Sequence, residues 1–280
     1  MKKFFIGLIG LIGLGLNGCD KIEPEEYMVY DGVEVDWMAS STTLTPVQRV
    51  YVEKYTGPRC SNCPTADETL DAIDNKNVVI VSINHPNGQG TPYPNQPDMR
   101  TDGGTLWDNY FGINAIPAAY INRDQSTQYQ GDMSNIVDGI NHALAEGPVI
   151  ALDAKAHADD SKIYVAVDLQ FVKKYTQPIN FTAILVEDSL VYRQLLPDNT
   201  IDDNYVHNHM LRKVITSYWG SKVSCNGAEG ESLQGGFNFP ISDNINLEHC
   251  HVVVFVSNQA SREVLNCASC EIVSALDEIE

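Results

Sequence analysis

Two periods of hydrophobic spacing divide the chain. Up to about residue 147 apolar side chains come in continuous runs or at helical intervals; beyond it they alternate. In 47–55, Val50 and Val52 fall on one face and Tyr51 on the other, which predicts a buried strand. The stretch 64–75 has Pro64 early, Asp67 and Glu68 in its first turns and Ala66, Leu70 and Ile73 on one side, so it predicts a helix. Residues 78–83 are an apolar run of strand length, as expected of a parallel strand covered on both faces. Together they predict a right-handed βαβ unit. Residues 85–102, crowded with Pro, Gly and Asn, predict a loop; 105–111 predict a short helix that packs Trp107, Tyr110 and Phe111 onto the core. A strand over 118–122 and an amphipathic helix over 134–146, stopped by Gly147-Pro148, complete this half.

From Val149 the period is two. Strands are predicted over 149–158, 162–171, 179–187, 232–241, 251–257 and 262–272, separated by polar turns such as Asp159-Asp160. Six short strands without helices predict an antiparallel β-sandwich. The less regular 190–223 is expected to be a long crossing loop. The fold class is therefore α/β plus all-β, divided into 46–147 and 148–273, with an acidic tail over 274–280.

The N-terminus sets the compartment. Lys2 and Lys3 precede an apolar run over 4–16 that is too short to span a bilayer, and Leu16-Asn17-Gly18-Cys19 follows. This resembles a bacterial lipobox. The resemblance implies removal of a signal peptide over 1–18, lipid such as palmitate on Cys19 and anchoring in the membrane through several acyl chains. Residues 19–45, rich in acids and Ser/Thr, are expected to be a tether. Loss of 1–18 removes two lysines and no acid, taking the net charge from −19 to −21. Such a chain repels nucleic acid and anionic lipid.

With Cys19 lipidated, six cysteines remain in a disulfide-permissive compartment. Cys60-Ser61-Asn62-Cys63 follows a strand and opens a helix, where the positive helix end and unpaired N–H groups favour a thiolate on Cys60. Cys63 would resolve a mixed disulfide, and Arg59 would add positive charge. Downstream, Gly112-Ile113-Asn114-Ala115-Ile116-Pro117 leads into a strand. The order strand, CxxC, helix, strand, Ile-Pro, strand resembles the thioredoxin fold, which implies a cis Pro117 against the sulfurs, a buried acid near the second cysteine, at Glu53 with a one-residue offset, and a peptide groove that takes in Trp107 and Tyr110.

Longer stretches resemble one family over nearly the whole chain: Glu53-Lys54-Tyr55-Thr56-Gly57, Glu187-Asp188-Ser189-Leu190, Tyr205-Val206-His207-Asn208-His209-Met210-Leu211-Arg212, Trp219-Gly220 and Val253-Val254-Phe255-Val256. They are similar to the Bacteroidota outer-membrane lipoproteins typified by a 28-kilodalton surface adhesin or receptor of oral anaerobes. The resemblance implies an outer-membrane, surface-exposed lipoprotein with a thioredoxin-like domain and an Ig-like sandwich, binding a protein or cell-surface ligand. An extracytoplasmic thiol–disulfide oxidoreductase using Cys60 and Cys63 is the alternative.

Cys267-Ala268-Ser269-Cys270 is a second CxxC, with no helix following. Structural disulfides are expected within it or with Cys225 and Cys250. A four-thiolate zinc site is disfavoured by the oxidising compartment and the proline loop. His207 and His209 alternate near Asp202 and Asp203 and are the weak candidates for a metal, although such histidines more often hydrogen-bond a loop onto the sandwich; no metal or cofactor is expected. No serine-nucleophile elbow, phosphate-binding loop or zincin motif is present, which argues against hydrolase and nucleotide chemistry.

Overall fold

The computed structural model describes residues 32–274. The expected signal peptide, Cys19, the first part of the tether and nearly all of the acidic tail lie outside the described residues. Strand β1 is Asp36–Ser40. Next come β2 (Val50–Thr56), helix α1 (Cys63–Asp71), β3 (Val78–Asn84), α2 (Asp102–Phe111), β4 (Ala118–Ile121), β5 (Gln128–Gln130) and α3 (Ile136–Ala145). Only strands and short 3-10 turns follow: β6 (Ile150–Ala158), β7 (Lys162–Phe171), β8 (Ile179–Glu187), β9 (Leu190–Leu195), β10 (Ile201–His207), β11 (Met210–Val214), β12 (Ser221–Lys222), β13 (Ser232–Pro240), β14 (Cys250–Asn258) and β15 (Val264–Ser274). The fold is β-rich, with few helices.

The apolar run of β3 is explained by burial from both sides. β3 pairs parallel with β2, and β4 pairs antiparallel with the other edge of β2. On one face Val50, Val52, Ile80, Ala119 and Ile121 pack against Ala66 and Leu70 of α1 and Ile136 and Ile140 of α3. On the other, Tyr51, Tyr55, Val79, Val81 and Ile83 meet Leu106, Trp107 and Phe111 of α2. Thr101 caps α2 by accepting from the Gly104 N–H, and Gly112 ends it at φ 63°, a left-handed turn that glycine adopts without strain.

Strands β8 and β14 carry side chains into two cores. Phe181, Ala183, Leu185, Val252, Val254 and Val256 pack against Ile150, Leu152, Val165 and Val167 of β6 and β7. Their alternate residues Ile184, Val186, Val253 and Phe255 join the aromatic core beneath β2 and β3. Hydrogen bonding is continuous between the halves, since β11 pairs antiparallel with β8 and parallel with β3 through Met210 and Ser82.

Two expectations are corrected. The tether over 19–45 holds β1, which pairs residue for residue with Ser232–Gly236, while Trp37 packs edge-on against Phe181 at 5.2 Å. Val33, Val35 and Trp37 alternate, and that short pattern is sufficient to add a strand. The supposed crossing loop over 190–223 holds β9 to β12; β9 and β10 form a separate two-stranded sheet, with an irregularity between Asp202 and Tyr205 that breaks the alternation.

Candidate functional site

Cys60 and Cys63 form a disulfide of 2.13 Å at the start of α1, and the Ile116–Pro117 peptide beside it is cis. Cys60 Sγ lies 3.5 Å from the Ile116 carbonyl oxygen. Each cysteine is only 1% exposed. Both cysteines belong to the aromatic core with Tyr55, Ile113, Ile116 and Ala118.

The groups expected to activate the thiols are engaged elsewhere. Arg59 donates through Nε to the Thr91 carbonyl and through a terminal nitrogen to the Pro92 carbonyl, with its guanidinium 4.4 Å from the Tyr93 ring centre. Its charge holds the 85–101 loop in place. Glu53 is fully buried; its carboxylate accepts from the Tyr51 hydroxyl at 2.9 Å, the Tyr55 hydroxyl at 2.5 Å and Arg123 Nε at 2.8 Å. Burial, and then the Glu53 charge, push both tyrosine pKa values well up. Burial works most strongly against the charge on Arg123, but the Glu53 charge and hydrogen bond together with Tyr51 and Tyr55 outweigh it and the guanidinium pKa rises. Glu53 is thus an ion-pair partner with its acceptor positions occupied, and Arg123, 70 residues away in sequence, is a residue that local spacing could not reveal.

Trp107 does not line a groove. It is fully buried, donates to the Tyr218 carbonyl and lies with its ring 4.1 Å from the Arg123 guanidinium. Tyr110, at the surface of the same helix, packs on Trp219.

The hairpin β9–β10 lies on the Cys60 loop. Gln194, itself buried, donates from Nε2 to the Cys60 carbonyl at 2.9 Å, and Leu195 N–H donates to the Pro58 carbonyl at 2.8 Å. Tyr205 donates to Asp67 on α1, which also takes Lys54 Nζ.

His207 and His209 do not converge. His207 stacks on Tyr192 at 3.7 Å with Nε2 near the Tyr192 carbonyl, whereas His209, at φ 61°, turns its ring between Asp188 at 3.3 Å and Asp71 at 3.5 Å. Asp188 also faces His251 at 3.5 Å. Asp203 pairs with Arg193 on the hairpin surface. Burial pushes the Asp71 carboxyl up, but hydrogen bonds from His209 and Asn208, with the Lys54 charge, outweigh it and hold the pKa below its usual value. Among the described residues, no group of three or more His, Cys, Asp or Glu is placed to hold a metal ion.

The four later cysteines are free thiols, contrary to the expected structural disulfides. Cys267 and Cys270 stand three apart on one strand, so their side chains leave opposite faces: Cys267 enters the aromatic core and Cys270 packs against the core of β6, β7, β8 and β14. Burial pushes the pKa values of Cys250, Cys267 and Cys270 up to about 12.

Among curated proteins none matches the sequence. Of solved structures, HBP35 of Porphyromonas gingivalis is similar over 81% of this chain and 76% of its own, with a TM-score of 0.64 at 15% identity, a likeness of fold. A domain of the outer membrane lipoprotein Omp28 from Porphyromonas gingivalis matches at 19% identity over 45% of this chain and 90% of its own, with a TM-score of 0.32. A family profile described as Outer membrane protein Omp28 matches residues 105–274, beginning within α2 and leaving Cys60 and Cys63 outside the matched segment. That match covers more than half of the chain, which belongs to the Omp28 family of outer membrane proteins.

Proposed function

We propose that this outer-membrane protein is a binding protein, held by lipid on Cys19, that offers a protein or cell-surface ligand a scaffold built from a thioredoxin-like shell and an Ig-like β-sandwich. In this reading Cys60–Cys63 is a closed clip. The observation that carries it is the burial of both cysteines at 1% exposure, because thiol–disulfide exchange needs a sulfur that an incoming thiolate can reach. The engagement of Arg59 by the 85–101 loop and of Glu53 by Arg123 supports the same reading. The oxidoreductase alternative is favoured by one feature, the position of the CxxC at the start of α1.

The two readings separate in a Cys60→Ser, Cys63→Ser double variant. A folded double variant that retains attachment to host or neighbouring cells supports the binding reading, and loss of attachment by a folded variant overturns it. Insulin reductase activity in the wild-type protein that vanishes in the double variant would establish the alternative. The anchor is tested separately: Cys19→Ala is expected to leave the membrane fraction, and its full retention there would exclude a lipid anchor on Cys19.

A further inference from the structure

The geometry points to a gated thiol–disulfide site, in which the β9–β10 hairpin is the lid over Cys60–Cys63 and the disulfide reacts only while that hairpin is lifted. Three contacts hold its inner face on the CxxC unit. Gln194 Nε2 donates to the Cys60 carbonyl at 2.9 Å and the Gly57 carbonyl at 3.4 Å, and within the hairpin to the Leu195 carbonyl at 3.0 Å. Leu195 N–H meets the Pro58 carbonyl at 2.8 Å, and the Tyr205 hydroxyl meets Asp67 Oδ2, one turn into α1, at 2.8 Å. At the far side Arg193 N–H donates to Gln96 Oε1 at 3.1 Å, so the hairpin is pinned to the 85–101 loop as well.

The same hairpin is built to come away. It pairs with none of the strands of the main sheet, and a lone two-stranded ribbon is marginal in water without such support. Its apolar anchorage is a cluster of three buried residues, Tyr192, Met99 and Met210, with Leu190 packed against them. Its outer face is exposed: Val191 and Val206 form a cross-strand pair at 58% and 49% exposure, and Ile201 is 49% exposed. An element with few buried apolar contacts and mainly polar ties opens locally at a free energy below that of global unfolding.

With the hairpin lifted, an external dithiol supplies the chemistry. One of its thiolates attacks a sulfur of Cys60–Cys63, the S–S bond breaks, and the other cysteine leaves as a thiolate that takes a proton from water. The second thiol of the reagent, after losing its proton, attacks the mixed disulfide and releases the remaining cysteine. Two electrons and, in net, two protons pass from the dithiol to Cys60 and Cys63. The gate does not depend on the binding reading: a rate can confirm or sink it whatever the attachment assay gives.

The test is the rate at which dithiothreitol reduces Cys60–Cys63 in the folded protein, followed by quenched alkylation and mass spectrometry, beside amide hydrogen exchange over 190–207. In wild-type protein at sub-denaturing urea, reduction and hairpin exchange are expected to accelerate together, with a urea dependence shallower than that of global unfolding. Gln194→Ala combined with Tyr205→Phe is expected to raise both rates about tenfold, the factor for ~1.4 kcal/mol of lost docking. Reduction that ignores urea would mean an already accessible disulfide, and reduction that follows only the global unfolding slope would mean that no lid exists. Either result overturns the proposal, as does a variant whose hairpin exchange rises while its reduction rate stays at the wild-type value.

Discussion

Arg123 and Glu53 form an ion pair 2.6 Å apart at 1% and 0% side-chain exposure, sealed among aromatic rings from both halves of the chain. The guanidinium lies 4.1 Å from the Trp107 ring of α2 and 4.9 Å from the Phe255 ring of β14. A buried pair of this kind is weak evidence of net stability, but breaking it leaves one charge stranded, at a cost of about 3–5 kcal/mol. Glu53→Gln and Arg123→Met are each expected to lose roughly that much in urea unfolding. The double variant should recover a large part of it, because no unpaired charge remains; strictly additive losses would show that the two groups are not coupled.

The free-thiol assignment gives a count. Under native conditions at pH 8, Cys250, Cys267 and Cys270 are expected to resist iodoacetamide, since burial both pushes their pKa values to about 12 and blocks access. In denaturant without reductant, Cys225, Cys250, Cys267 and Cys270 should all alkylate, while Cys60 and Cys63 do so only after reduction. Peptide mapping that finds any of the four protected in denaturant would restore a structural disulfide there.

Which parts of this architecture were legible in the sequence depends on what each strand buries. β6, β7 and β13 have one face in the core and alternate cleanly, and β3 and β8 are covered on both faces and read as continuous apolar runs. The hairpin β9–β10 obeys neither pattern. Its inner face carries Gln194, Tyr205 and His207 because it covers polar backbone of the CxxC loop, and its outer face exposes Val191 and Val206. Inverted polarity of this sort reads as a loop. The CxxC itself was visible, but its sulfurs are buried among Ile113, Ile116 and Ala118 from much later in the chain, and the Glu53–Arg123 pair joins β2 to the turn after β4, 70 residues on; no local spacing encodes either. For Cys267 and Cys270 the misreading was one of period, since a CxxC within a strand directs its sulfurs to opposite faces.

Acid should loosen the hairpin. His207 is buried beneath Tyr192, and burial depresses its pKa to about 4; the Asp67 charge and the Tyr192 carbonyl oppose this, and the Lys54 charge adds to it. Lifted into water, the ring returns toward its ordinary ~6.5. The open form thus binds more protons between those values, so docking is at full strength above pH ~6.5 and weakens as pH falls toward 4, by at most about tenfold per unit. Hydrogen exchange over 190–207, corrected for intrinsic rates, should show opening that increases from pH 7 to pH 5. His251 is also held low, by burial foremost, so the assignment rests on His207→Gln, in which the pH dependence should flatten. An unchanged profile in that variant would place the sensitivity elsewhere.

Asn266 is fully buried, and its amide uses every position it has. Oδ1 accepts from the Arg49 N–H at 3.0 Å and the Cys267 N–H at 2.9 Å, and Nδ2 donates to the Val47 carbonyl at 2.9 Å and the Ile150 carbonyl at 2.6 Å. It thereby ties β15 to the lead-in of β2 and to the first residue of β6. Asn266→Leu removes all four bonds and leaves the backbone groups without this partner, for an expected loss of about 2–4 kcal/mol. Asn266→Asp keeps the size and the acceptor but turns a charged oxygen toward two carbonyl oxygens. Burial and that repulsion should raise its folded-state carboxyl pKa above the unfolded value, so its penalty should be greatest at neutral pH and shrink as pH falls and the acid protonates. Urea unfolding of both variants at pH 7 and pH 5 checks the pair. An Asn266→Leu loss below about 1 kcal/mol would mean that the four bonds only replace what water would supply, and an Asn266→Asp penalty independent of pH would mean that its carboxylate escapes to solvent.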